Sequence, residues 1–132
     1  MLTGLNHLTL AVSDVARSFD FYVNELGFVP QARWSRGAYL SLGELWLCLS
    51  ADVVKPQLDY THYAFSIRSD KFAPFVEKLR SSGIVEWKSN KSEGQSIYFL
   101  DPDGHKLEVH IGSLESRLNE CKAHPYEKME FF

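Results

Sequence analysis

Cysteine is scarce: only Cys48 and Cys121 occur in 132 residues. Two thiols make no disulfide framework, and both read as reduced side chains of a cytoplasmic protein. There is no basic surplus either. The formal net charge is −3, so nothing is available to neutralise a phosphate backbone and nucleic acid is not expected as a partner. No run of about 20 apolar residues occurs, so no membrane-spanning helix is expected. The start, Met1-Leu2-Thr3-Gly4-Leu5-Asn6-His7, has no basic segment ahead of an apolar one and does not read as a signal peptide. Low-complexity tracts and the Walker pattern of a nucleotide loop are also missing. The 45% hydrophobic and 14% aromatic shares are ample for one packed interior, and 23% charged residues give no sign of disorder.

What the chain does contain is a loose internal repeat. His7-Leu8-Thr9-Leu10-Ala11-Val12 alternates as a strand does. Ser13 or Asp14 can cap a helix whose apolar face is Val15, Phe19, Tyr22, Val23 and Leu26, and Gly27 ends it. The same order returns later. His62-Tyr63-Ala64-Phe65-Ser66-Ile67 alternates, Ser69 or Asp70 can cap, Phe72, Phe75, Val76 and Leu79 form the face, and Gly83 ends it. Pro74 falls early in that second helix, where a missing N–H costs least, and can delay its regular start. Strand-like segments follow each helix: 28–34, 38–42 and 45–50, then 85–89, 96–100 and 106–111. Each half therefore reads β-α-β-β-β. The expected organisation is one α+β domain over 1–132, with repeat units at about 1–52 and 58–112, a linker near 51–59, and a tail over 113–132. In that tail Ser113–Cys121 reads as helical and Ala123–Phe132 as extended. Two units too small to close a core alone are expected to pair their sheets.

Strand side chains alternate between two faces. Leu8, Leu10 and Val12 oppose His7, Thr9 and Ala11. Leu45, Leu47 and Leu49 oppose Trp46, Cys48 and Ser50. Leu107, Val109 and Ile111 oppose Lys106, Glu108 and His110. One set suits packing under helices. The other gathers imidazole, carboxylate, hydroxyl, thiol and indole, a composition closer to a lined cavity than to a solvated sheet face. His7 and His62 open the two repeats on their first strands. Glu108 lies on the last strand of the second repeat, and Cys48 holds the matching place in the first. Two neutral imidazoles and a carboxylate leave open positions on a six-coordinate ion such as Mn²⁺, Fe²⁺, Zn²⁺ or Co²⁺. Histidines so far apart are ordinarily structural; their symmetric placement singles these out. His105, after the Asp103-Gly104 turn, reads as exposed. His110 shares the face of Glu108 and reads equally as its neighbour or as surface. The segment 88–96, Lys88-Ser89-Asn90-Lys91-Ser92-Glu93-Gly94-Gln95-Ser96, supplies ammonium groups, hydroxyls and backbone N–H groups for a small anion, or oxygens for a monovalent cation. An ordinary hairpin loop has the same composition.

Several runs carry a resemblance: Asn6-His7-Leu8-Thr9-Leu10-Ala11-Val12, Trp46-Leu47-Cys48-Leu49-Ser50, Asp59-Tyr60-Thr61-His62-Tyr63-Ala64-Phe65, Ser92-Glu93-Gly94, and Tyr98 through Glu108 with its Asp101-Pro102-Asp103-Gly104 turn. Together they resemble the A-type fosfomycin-resistance glutathione transferases of the vicinal oxygen chelate superfamily, over essentially the whole chain. The resemblance implies the vicinal oxygen chelate fold, paired βαβββ units in a cupped mixed sheet, exchanged between the chains of a homodimer. It implies Mn²⁺ dependence, with Zn²⁺ as an alternative, and stimulation by K⁺. By the same resemblance His62 and Glu108 of one chain and His7 of the other hold the metal. Thr9 sits by the epoxide oxygen and Tyr60 near the incoming thiol, as catalytic residues. Trp46 lines the pocket, and Lys88, Ser92, Ser96, Tyr98 and Arg117 hold the phosphonate. Asn90, Ser92, Gly94 and Ser96 resemble a K⁺ loop. Lys91 departs from the arginine common among such proteins; the charge is kept and the bidentate fork lost. The implied reaction is attack of the glutathione thiol on C1 of the fosfomycin epoxide.

Other readings stay open at this point. A glyoxalase-like isomerase needs a glutamate base where this chain has Cys48. An extradiol dioxygenase needs Fe²⁺. A bleomycin-sequestering module of the same fold needs no metal triad. The same ring opening with another thiol or with water is separated poorly by sequence.

Overall fold

In the computed structural model, which describes residues 1–132, the chain divides into two units. The first is Met1–Thr61 together with Leu100–Lys106; the second is His62–Phe99 with Leu107–Phe132.

The first unit starts with β1 (His7–Val12) and α1 (Val15–Asp20), the latter running into a π-helical turn at Phe21–Glu25. Asp14 caps α1, its carboxylate accepting from the Arg17 N–H at 3.0 Å. Three strands follow, β2 (Val29–Trp34), β3 (Gly37–Leu42) and β4 (Leu45–Ala51), in spatial order β1-β4-β3-β2. β1 runs parallel to β4, and the other pairs are antiparallel. Leu10, Val12, Leu40, Leu47 and Leu49 are buried, and α1 packs on β3 and β4. This is the apolar face that the alternation predicts.

Residues 100–106 join this unit through a dense set of hydrogen bonds. Tyr22, fully buried in the π-helical turn, donates its hydroxyl to Asp101 Oδ2 at 2.7 Å. The other Asp101 oxygen accepts from the Asp103 and His105 N–H groups, both at 2.9 Å. Asp103 in turn accepts from the Ser13 N–H, the Ser18 hydroxyl and Arg17. His105 corrects the sequence expectation of an exposed ring: it is partly buried and Nε2 donates to the Ala11 carbonyl at 2.7 Å. A buried carboxylate that collects donors on both oxygens meets the cost of its own desolvation.

The second unit contains β5 (Tyr63–Ser66), α2 (Ser69–Ser81), β6 (Glu86–Lys88), β7 (Ser96–Leu100), β8 (Lys106–His110) and α3 (Leu114–Ala123). Its sheet has the order β5-β8-β7-β6, with β5 parallel to β8 and β6 antiparallel to β7. Both halves are thus βαβββ, two mixed four-stranded sheets in an α+β fold. α2 departs from expectation at its start. Ser69 is already helical, Arg68 occupies the cap position with no side-chain cap bond, and the Asp70 carboxylate is taken by the Arg68 guanidinium at 2.8 and 3.0 Å. Pro74 does not delay the helix; it sits inside it, five residues beyond its first. Gly83, at φ +76, closes α2, where the Ile84 N–H reaches the Leu79 carbonyl at 3.4 Å. Ser113 caps α3 in a reciprocal arrangement with Ser116. The segment after Ala123 is not extended as expected. It folds back in a turn, with Met129 N–H on the Tyr126 carbonyl at 3.1 Å and Lys128 at φ 56.

Candidate active site

Parallel pairing places the chemistry-bearing side chains. In the first unit Thr9 lies opposite Cys48 and His7 opposite Trp46. In the second, Ala64 lies opposite Glu108. His7 precedes Thr9 by two residues, as His62 precedes Ala64. Cys48 and Glu108 therefore hold equivalent positions in the two repeats.

On the first unit a line of rings crosses all four strands. His7 faces Trp46 at 4.7 Å between centroids, Trp46 meets Tyr39 edge-on at 5.3 Å, and Tyr39 meets Trp34 at 4.8 Å. Trp34, Tyr39 and Trp46 each remain at least 40% exposed. With Thr9, Cys48, Leu49 and Ser50 these rings line a cavity of about 290 Å³. Asn6 Oδ1 lies 2.7 Å from His7 Nδ1. Accepting there fixes Nδ1 as the protonated nitrogen and leaves Nε2 as the donor atom for a metal. Trp34 and Tyr39 were not singled out in the sequence; alternation along β2 and β3 was the only signal available for them. Cys48 is buried, the small packed residue that its place on the strand implies. Tyr60 is 57% exposed. It sits in a loop tightened by Asp59, whose carboxyl is held below its ordinary range by the Thr61 backbone N–H and hydroxyl.

On the second unit the sequence-identified pair comes together. His62 Nε2 lies 3.1 Å from Glu108 Oε2, with the two side chains 21% and 10% exposed. Two donors each about 2.1 Å from one ion and at right angles to one another stand about 3 Å apart. The pair therefore fits a shared divalent cation, which would displace any proton between them. Glu108 Oε1 is engaged separately, accepting from the Ser96 hydroxyl at 2.6 Å. His62 is flanked by Trp87 and Tyr98, and Lys88 Nζ lies 4.9 Å from the centre of the Tyr98 ring. Within a single chain no three His, Cys, Asp or Glu residues form a metal-holding group.

The loop after β6 is closed on itself. Asn90 Nδ2 donates to the Gly94 carbonyl at 2.8 Å, while Asn90 Oδ1 accepts from the Ser92 N–H and hydroxyl. Arg117 on α3 reaches this loop rather than Glu115 or Glu120 on its own helix, the pairing that a purely solvated helix face would give. Its Nε meets Glu93 Oε2 at 3.3 Å, and its second nitrogen meets the Glu93 carbonyl at 3.2 Å and Ser92 Oγ at 3.3 Å. Burial works against the Arg117 charge, but hydrogen bonds to Glu93 and Tyr126 outweigh it and hold its pKa above the usual value. The second unit so gathers His62, Lys88, Ser92, Ser96, Tyr98, Glu108 and Arg117, and the first unit His7, Thr9, Trp46 and Tyr60.

Residues 4–109 match the Glyoxalase/Bleomycin resistance protein/Dioxygenase superfamily. The chain is 54% identical over 136 residues to the glutathione transferase FosA of Serratia marcescens, covering 99% of this chain and 96% of that protein. The chain belongs to the A-type fosfomycin-resistance glutathione transferases of that superfamily. Two further proteins are similar at lower identity. The metallothiol transferase FosB of Staphylococcus haemolyticus is 39% identical, over 94% of this chain and 96% of its own length. A variant of FosX from Listeria monocytogenes, solved with Mn(II) and 1S,2S-dihydroxypropylphosphonic acid, superposes with a TM-score of 0.84 at 31% identity, over 91% of this chain and 98% of that one.

Proposed function

We propose that this transferase adds the thiol of glutathione to C1 of fosfomycin and so opens the epoxide and inactivates the antibiotic. The observation that carries the reading is the His62–Glu108 pair, two unlike donors 3.1 Å apart, one just ahead of β5 and the other on β8. His62 and Glu108 of one protomer and His7 of the partner subunit would hold a divalent cation. Mn²⁺ is the ion in the FosX complex, and the same donors suit Zn²⁺. When bound, such a cation supplies Lewis acidity toward the charge that gathers on oxygen as the ring opens.

The protein's own groups do the rest. Lys88 and Arg117 bring positive charge to a phosphonate dianion, and Ser92 and Tyr98 bring hydroxyls, whereas the single Ser96 proton is already given to Glu108 Oε1. Thr9, in the pocket beside His7, presents a hydroxyl to the epoxide oxygen. Trp46 walls the same pocket, and Tyr60 meets the incoming thiol. Fixing the dianion turns C1 toward the sulfur, so that much of the barrier is met by orientation. The S–C1 bond forms as C1–O breaks, with inversion at C1, and the oxygen takes up a proton to end as a hydroxyl. Asn90, Ser92, Gly94 and Ser96 supply oxygens for K⁺. Phosphorus NMR of fosfomycin with the enzyme, Mn²⁺ and each candidate thiol tests the reaction. A new resonance with glutathione is expected, faster in K⁺ than in Na⁺ buffer. Conversion without any thiol would assign the chain to water instead, and equal rates in the two salts would remove K⁺ from the site.

The same reading makes the site intermolecular, with His7 of one protomer brought to His62 and Glu108 of the other. Mixing and re-forming dimers of two inactive variants, His7→Ala and Glu108→Gln, should restore about a quarter of wild-type activity. Half of the dimers are mixed, and each of those regains one of its two sites. No recovery after exchange is complete would rule out the shared site.

A further inference from the structure

His110 is used by none of the steps above, yet it is tied to the carboxylate they depend on. Its Nδ1 lies 2.6 Å from Ser96 Oγ, and Ser96 Oγ donates to Glu108 Oε1 at 2.6 Å. A serine hydroxyl has one proton. With that proton directed at the carboxylate, Oγ can only accept from His110, so Nδ1 must carry hydrogen. The direct Nδ1–Oε1 distance is 3.6 Å, too long for a hydrogen bond. The link therefore runs through the serine.

The ring is also held from outside. Gly94, at φ +77, and Gly112, at φ +142, both press on it: a Cβ would lie 2.8 Å from His110 Cε1 at the first and 2.6 Å from Nε2 at the second. A side chain at Gly112 would crowd the imidazole first, and one at Gly94 would crowd both the ring and the Ile111 carbonyl, 2.4 Å away. Both glycines have the left-handed backbone that this close approach uses.

We propose that His110 is a positioning residue for Glu108. By donating Nδ1–H to Ser96 it points the serine proton at Oε1, which fixes the carboxylate and leaves Oε2 facing His62. The inference rests on the reading of Glu108 as a metal ligand. Partners one step beyond the ligands orient them and raise their affinity for the ion. A histidine that merely filled space here would be indifferent to which nitrogen is protonated.

The test compares His110→Leu, which fills space without a donor, with His110→Asn, whose amide nitrogen stands as many bonds from Cα as Nδ1. Mn²⁺ affinity is read from the electron paramagnetic resonance of the free ion. His110→Leu should weaken it by about 10- to 100-fold, and His110→Asn should recover most of that loss. Equal weakening in both variants, or none in His110→Leu, overturns the proposal. Nitrogen-15 NMR of the Zn²⁺-loaded wild-type chain at alkaline pH covers the case in which the variants fold poorly. A protonated Nδ1 with a bare Nε2 is expected, and the reverse tautomer overturns the proposal. Glu108→Gln separates the two levels. If that variant keeps full Mn²⁺ affinity, the metal reading itself falls and takes this inference with it. If it loses the ion while His110→Leu does not, only the role of His110 falls.

Discussion

Glu108→Gln is expected to lose the divalent cation and, with it, at least about 100-fold in turnover, since a ligand should matter no less than the partners that orient it. Glutamine keeps the shape of the side chain and can still accept from Ser96. It loses the negative charge that would bind the ion beside His62. The fold should survive. Glu108 is only 8% exposed, and exchanging a buried carboxylate for a neutral amide removes a desolvation cost. Between the metal-free proteins an unchanged or raised melting temperature is therefore expected, together with weakened Mn²⁺ binding and a smaller gain in melting temperature on adding the ion. Full activity at stoichiometric metal would exclude Glu108 as a necessary ligand.

Arg117→Ala carries the second large effect and tests the substrate class. The fosfomycin phosphonate is largely dianionic near neutral pH, while the chain has a net charge of −3. Positive charge must be supplied locally, and Arg117 stays firmly protonated through its contacts with Glu93 and Tyr126. Loss of a charge-assisted hydrogen bond of roughly 1.5–3 kcal/mol corresponds to a drop of about 10- to 150-fold in kcat/KM. The apparent KM for fosfomycin should rise far more than that for glutathione, with the metal still bound. Arg117 also pins the loop through Ser92 and Glu93, so Arg117→Lys and Glu93→Gln are the informative companions. Lysine keeps charge without the fork and should fall between wild type and alanine. If Arg117→Ala leaves fosfomycin kinetics unchanged, the guanidinium only holds the loop.

Part of this protein is legible in the order of its residues. Period-2 alternation from His7 and again from His62, the cap residue Asp14, and the closing glycines Gly27 and Gly83 are local signals. They specify the doubled βαβββ pattern because each acts within a few residues of the backbone it shapes. Signals of that kind falter where a side chain finds a better partner than its own helix end. Asp70 takes Arg68 and leaves α2 uncapped, and the tail beyond Ala123 turns back where its composition reads as extended.

The tertiary structure decided the rest. His62 and Glu108 are 46 residues apart, and no local pattern brings them together; the parallel β5–β8 register does. A shift of one residue would turn Glu108 to the opposite face. The same holds for Tyr22 with Asp101, His105 with the Ala11 carbonyl, and Arg117 with Glu93. Buried or half-buried polar groups must each find a partner, and which partner is in reach depends on strand pairing and loop closure. The order of residues thus named the chemistry, while strand register and long-range hydrogen bonds set which of those groups face one another.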